Sequence, residues 1–260
     1  MGMLDDKVVV VSGIGPGLGQ ALARRAADHG AAGVVLASRT QENLDELSAK
    51  LNEAGGKALA VRTDITNPDD VQNLVRATLD EFGRVDAVIN NAFVMPPMSG
   101  LTNMDEEATR KSIDVTLYGS LRVTSAFTPA LIESQGSVLF VNSVVIRHTR
   151  VGYGPYRIAK AALEAAAQNL ATELGPRGVR VNSIAPGWIG GHTLERAFDK
   201  MSQARGVSRE QIEEEILATI DLRRFPMPDD IADAGLFLCS PLAHAITKQT
   251  LEVSCGEFHT

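Results

Sequence analysis

Three side chains between positions 143 and 160 are of the types that move protons: Ser143, Tyr156 and Lys160. Ser143 follows an apolar run, Gly136 to Val141, that reads as a buried strand. Tyr156 and Lys160 stand four residues apart in an Ala-rich stretch, Pro155 to Leu174, whose pattern is helical. That spacing puts both on one helix face, one turn apart. A phenol ordinarily titrates near pH ~10 and is a poor base at neutral pH. An ammonium one turn away favours phenolate and is expected to lower the Tyr156 pKa. Tyr156 could then exchange a proton with an alcohol or a carbonyl. Ser143, at the strand end, could hydrogen-bond the same substrate oxygen. Tyr153 lacks this arrangement, because its fourth residue on is Arg157. Tyr-x-x-x-Lys also arises by chance, so the reading needs a second feature.

That feature lies near the start. Lys7 to Ser12 is a β-branched run of the kind buried on both sheet faces. It leads into G-I-G-P-G-L-G, with Gly13, Gly17 and Gly19 in the turn, and then into an amphipathic helix, Gln20 to His29. Glycine permits the tight turn and lets backbone N–H groups approach a pyrophosphate. The helix N-terminus adds partial positive charge. The strand–turn–helix context points to dinucleotide binding. The end of the second strand selects the dinucleotide. An acidic residue there would bond the ribose 2′-hydroxyl of NAD(H). Ser38 and Arg39 stand there instead, and the first carboxylate is Glu42. Arg39 could grip a 2′-phosphate, which favours NADP(H), with NAD(H) as the alternative.

The elements that must position these groups alternate in type. Strands are expected at Gly33 to Ser38, Ala58 to Arg62, Asp86 to Asn90, Arg180 to Ala185 and Gln249 to Val253, besides the two already described. Helices are expected at Gln41 to Ala54, Asp69 to Phe82, Asp105 to Ala126 and Asp229 to Cys239, with helical character over Thr193 to Ile220. Alternation means βαβ units, a parallel sheet and right-handed crossovers. The expected fold is α/β: a Rossmann-like, doubly wound, seven-stranded parallel sheet between two helical layers, in one domain over 1–260. The irregular part, 188–228, reads as an insertion that shapes the substrate pocket.

Composition is consistent with that fold. Hydrophobic residues make up 44% and charged residues 22% of 260, ordinary for a globular chain. A net charge of −7 argues against a nucleic-acid surface. No apolar run approaches the ~20 residues needed to span a bilayer, and Asp5, Asp6 and Lys7 interrupt any signal peptide. Cys239 and Cys255 are too few for a disulfide framework and too far apart for a metal knuckle, so no metal is expected. The expected location is the cytoplasm. Lone histidines His148 and His192 read as loop residues, and Glu213 to Glu215 as a solvated face. Met95 to Met98 could line a pocket.

Taken together, these residues resemble the short-chain dehydrogenase/reductases, in their shorter single-domain branch, over essentially the whole chain. Gly13, Gly17 and Gly19 match that family's glycine pattern, Asp64 in T-D-I-T its adenine-contacting Asp, and Asn90-Asn91-Ala92 its Asn-Asn-Ala-Gly turn. Ser143, Tyr156 and Lys160 match its catalytic trio, and Pro186-Gly187 its turn beside the nicotinamide. The resemblance implies hydride transfer between a nicotinamide and a secondary alcohol or ketone, with Tyr156 as acid/base. It implies cofactor contacts from Leu18, Ile65, Asn91 and Ile189 as well, and from Lys160 to the nicotinamide ribose. It also implies assembly as a homotetramer or homodimer. Phe93 departs from the pattern by replacing the turn's glycine, and Thr193 lies further out than the usual Thr. Thr116 replaces an Asn that supports a proton-relay water. A Thr back-bonded to the Ser112 carbonyl could bend the helix and keep that role. A dinucleotide-binding regulator without turnover is one rival reading. Enoyl-thioester reduction is another, although members with that activity commonly space Tyr and Lys more widely.

Overall fold

All five residues of strand β1, Val8–Ser12, are buried. A strand covered on both faces reads as an uninterrupted apolar run, which is how V-V-V-V earns its central place. The computed structural model describes residues 2–257. Met1 and 258–260, the outer positions of the expected domain, lie outside the described residues. Strands β2 (Gly33–Ser38), β3 (Ala58–Arg62), β4 (Ala87–Asn90), β5 (Ser137–Val141), β6 (Arg180–Pro186) and β7 (Thr250–Val253) complete one seven-stranded sheet. Its order is β3-β2-β1-β4-β5-β6-β7, with every pairing parallel. The chain leaves β1 toward one edge and returns at β4 toward the other. The carboxyl ends of β1 and β4 therefore flank the switch point, where doubly wound sheets bind ligands.

Two apolar cores fill the faces. Helices α1 (Leu18–Asp28), α2 (Gln41–Glu53) and α9 (Pro228–Cys239) cover one, with Val9, Val11, Val34 and Leu36 pointing into it. Helices α3 (Pro68–Phe82), α5 (Ser120–Ser134) and α6 (Gly154–Leu174) cover the other, over Val8, Val10, Val35 and Val138. Alternate residues of β1 thus serve opposite cores, as the period of two requires.

One expected helix comes out differently. The stretch Asp105 to Ala126 is not one regular helix. It is α4 (Glu106–Ile113), a widened π-type turn over Asp114–Gly119, and then α5, which continues to Ser134 past Pro129. An internal proline costs about 3 kcal/mol. Phe127 and Leu131, both fully buried, contribute about 1.5–3 kcal/mol each and offset it. Residues 188–228 hold α7 (His192–Arg205) and α8 (Arg209–Leu217) around a small core of their own, Leu194, Phe198 and Ile212. Trp188 and Phe225 stack on Phe198, with ring centroids 6.0 and 5.6 Å away.

Candidate active site

The glycine turn has the geometry that the sequence requires. Gly13 and Gly17 adopt positive φ, +95° and +94°, which side-chain-bearing residues rarely do. A Cβ on Gly19 would lie 2.3 Å from the Gly13 carbonyl oxygen. Gly17 caps α1 without any side-chain hydrogen bond, which leaves first-turn N–H groups for a ligand. Gly13 and Gly19 border a cleft of about 280 Å³ at the switch point. Leu18, Ser38, Arg39, Asp64, Ile65 and Asn91 also border it. Asn91 donates its Nδ2–H to the Gly13 carbonyl oxygen at 2.7 Å, so its amide braces the glycine turn from the other side.

At the cleft's outer end, the buried Ser38 Oγ makes no hydrogen bond within the described residues. Arg39 follows it, exposed. Burial pushes the Asp64 carboxyl up. Hydrogen bonds from Thr66 and the charges of Arg39 and Arg62 outweigh that and hold it below the usual carboxylate range. Positive charge therefore already surrounds this end of the cleft.

The trio lies at the inner end, brought together by β5 and α6. Ser143 hydrogen-bonds the Tyr156 hydroxyl, and its Oγ also accepts from Val145 N at 3.3 Å. Lys160, 2% exposed, donates from Nζ to the Val141 carbonyl oxygen at 2.7 Å. Its Nζ is 6.0 Å from the Tyr156 ring centroid. The expected lowering of the phenol is not seen in this geometry. Burial pushes Tyr156 up to about 12, the Tyr153 phenol adds to the rise, and only Ser143 opposes it. Burial likewise pulls Lys160 down to about 7. Both shifts have one cause, since each charged form is desolvated; the paired ions would relieve each other.

The departures are now placed. Thr116 is buried within the widened turn. The expected back-bond to the Ser112 carbonyl is not among the hydrogen bonds of the described residues; the distortion is in the backbone itself. Thr193 is exposed in the first turn of α7. Pro186 ends β6 and Gly187 and Ile189 follow it; none of the three borders the glycine-lined cleft, and Ile189 is partly buried against the sheet core. His192 is exposed and pairs with Glu195, as a helix-end residue does. Met95 and Met98 are both about half exposed, beyond β4.

Two features escaped the sequence. The Phe93 ring stands 6.3 Å from the Tyr156 ring, and Lys160 Nζ is 5.1 Å from the Phe93 centroid. Glu257 is a buried carboxylate whose Oε2 faces Gly187, where a Cβ would come within 2.3 Å of it. Its other oxygen is 3.5 Å from Arg150, whose guanidinium lies over the Trp188 ring. Distance along the chain hid the second; no periodicity marks either.

The switch-point cleft with its glycine turn defines a doubly wound, nucleotide-binding α/β protein. A family model described as Enoyl-(Acyl carrier protein) reductase matches residues 13–257. An uncharacterized oxidoreductase of Methylorubrum extorquens is 34% identical over 259 residues, covering 98% of this chain and 99% of that one. Dehydrogenase/reductase SDR family member 4 of Sus scrofa is 35% identical over 254 residues, covering 97% and 88%. A 7α-hydroxysteroid dehydrogenase solved with NADH and 7-oxo glycochenodeoxycholic acid superposes with a TM-score of 0.87 at 30% identity, covering 97% and 94%. The chain belongs to the short-chain dehydrogenase/reductase family, and with it to the oxidoreductases. Among the described residues no helix is long and apolar enough to cross a membrane, and no cluster of His, Cys, Asp or Glu is placed to hold a metal.

Proposed function

We propose that the protein interconverts a secondary alcohol and its ketone with NADP(H), and that Tyr156 is the acid/base. One observation carries this reading. A hydrogen-bonded Ser143–Tyr156 pair, with Lys160 one turn on, sits at the carboxyl end of the sheet beside an uncapped glycine turn. When bound, the nicotinamide supplies or accepts the hydride. The rest is done by this chain. Gly13, Gly17, Leu18 and Gly19 present main-chain groups to the pyrophosphate. Ser38 and Arg39 meet the ribose 2′-phosphate, and Asp64 and Ile65 the adenine. Pro186, Gly187 and Ile189 border the nicotinamide, and Lys160 holds its ribose. Ser143 orients the substrate oxygen. Tyr156 gives that oxygen a proton in reduction and takes one in oxidation.

The residues fit such a cofactor on two counts. Ser38 Oγ is buried without a partner, and the first-turn amides of α1 have no side-chain cap. Arg39 supports NADP(H); the similar hydroxysteroid dehydrogenase was solved with NADH, which keeps NAD(H) as the alternative. Enoyl reduction is the second reading, favoured by the description of the matching family model. The four-residue Tyr156–Lys160 spacing supports carbonyl chemistry instead. The exposed apolar Tyr118 and Ile158 support a homo-oligomer.

The test is a nicotinamide-absorbance assay over a panel of alcohols, ketones and enoyl thioesters. Tyr156→Phe should lower kcat by about 10²-fold or more, the scale for losing a proton-transfer group, while dinucleotide binding persists. Near wild-type turnover in that variant would remove Tyr156 from the mechanism. Turnover of enoyl thioesters alone would favour the second reading.

A further inference from the structure

The glycine-lined cleft ends at Phe93 and Val115, and neither Tyr156 nor Lys160 borders it. Lys160, although charged in kind, is nearly inaccessible at 2% exposure. Of its three donors, one goes to Val141. The Phe93 ring lies on the ammonium at 5.1 Å, within cation–π range, and tilts against Tyr156.

The backbone that carries this ring is fixed on both sides. Asn91 N donates to the Ser12 carbonyl, and Asn91 Nδ2 donates to that of Gly13. The Val94 carbonyl accepts from Ser112 Oγ at 2.6 Å. A Cβ on Gly13 would lie 2.4 Å from Ala92 N, so the two turns are already in contact. The ring itself is 48% exposed, and a side chain can step between staggered wells without moving its backbone. Phe93 is thus a half-exposed ring on a held backbone, between the dinucleotide cleft and the trio.

We infer that Phe93 is a displaceable cap on Lys160: its ring must swing off the ammonium before a nicotinamide ribose can reach it. In this role it is a positioning residue. It holds Lys160 while the cleft is open and sets a cost on dinucleotide binding. The inference rests on the proposed contact between Lys160 and the ribose. A glycine at position 93 would carry no such cap.

The test is a two-residue cycle read by equilibrium binding. NADPH and NADH are each titrated against wild type, Phe93→Ala, Lys160→Met and the double variant. Phe93→Ala should tighten binding roughly three- to tenfold, the size of a lost cation–π contact. In the Lys160→Met background the same substitution should change nothing. Phe93→Leu, which keeps an apolar contact and loses the aromatic face, should move affinity the same way by less. Damage to the fold cannot produce tighter binding, so the sign separates a cap from a mere packing residue. If Lys160→Met weakens binding while neither Phe93 variant tightens it, the cap is refuted and the Lys160 contact stands. The contact itself is read in the Phe93→Ala background, where no cap is left: if Lys160→Met leaves affinity unchanged there, the ribose contact fails and the cap fails with it.

Discussion

Lys160→Met tests the electrostatic heart of the site. Burial, with the Tyr153 phenol adding to it and Ser143 opposing it, pushes Tyr156 up to about 12, too high to serve as a base at neutral pH. The Lys160 ammonium, 6.0 Å from the phenol ring, is the one buried cation beside it among the described residues. With an effective dielectric of about 20, two unit charges on the order of 6 Å apart attract by about 3 kcal/mol. That corresponds to roughly two pKa units. The attraction favours phenolate and ammonium together, so it lowers Tyr156 and raises Lys160 from about 7 as the phenol ionises. Alcohol oxidation needs phenolate, so its rate climbs with pH up to the phenol's pKa and then levels. Methionine keeps the length and apolar contacts of the lysine stem and deletes the charge. Below about pH 7, where Lys160 still carries its charge, oxidation at saturating dinucleotide and substrate should therefore fall by about 10²-fold; above it, where the lysine has lost its own proton, the loss should shrink. At any one pH, the equilibrium of the catalysed reaction is unchanged. The full forward and reverse rate terms must then fall by the same factor, which gives an internal check. A loss of the same size at every pH would show that the Lys160 charge does not tune this phenol.

Two further substitutions read other parts of the site. Arg39→Ala should weaken NADP(H) by roughly 1.5–3 kcal/mol and leave NAD(H) nearly unchanged in titrations of both; a wild type that already binds NAD(H) more tightly would overturn that choice. Thr116→Val should cost about 1 kcal/mol, a several-fold fall in kcat. A folded variant with no turnover would make the hydroxyl essential, whereas a Thr116→Asn enzyme many-fold faster than wild type would show an impaired relay.

Much of this was legible in the residues because the fold imposes strict local rules. Strands β2 and β3 begin and end where their apolar runs do, Gly33–Ser38 and Ala58–Arg62. For β2, buried almost throughout, a covered strand tolerates little other pattern; β3, at the sheet edge, is only partly buried. Gly13 and Gly17 are readable because their positive φ excludes most alternatives. The widened turn at Asp114–Gly119 left no such mark. An i→i+5 turn interrupts no composition rule, and α4, the turn and α5 together read as one helix. The orientation of Lys160 was also hidden. It depends on a carbonyl of Val141, nineteen residues earlier and on a different element. Spacing on a helix fixes which face a side chain leaves from, and the partner it meets depends on the neighbouring strand.

That contrast separates the two halves of the site. The outer half meets a dinucleotide largely with main chain: a glycine turn, uncapped amides of α1, and an Asn91 amide that braces them. Main-chain geometry is set by where glycine is required, so it can be read from sequence. The inner half is assembled from side chains on separate elements. Ser143 follows β5, Tyr156 and Lys160 ride α6, Thr116 sits in the widened turn, and Phe93 follows β4. Two of the three groups that depart from the family pattern, Phe93 and Thr116, fall in this half. Beyond it, Trp188 belongs at once to the separate 188–228 core and, through Arg150 and Glu257, to the loops around the trio. Trp188 therefore links the packing around Phe198 to the loops beside the trio. A site so divided keeps its cofactor geometry while its substrate geometry varies. The residues that choose the substrate are then those whose positions no local rule predicts.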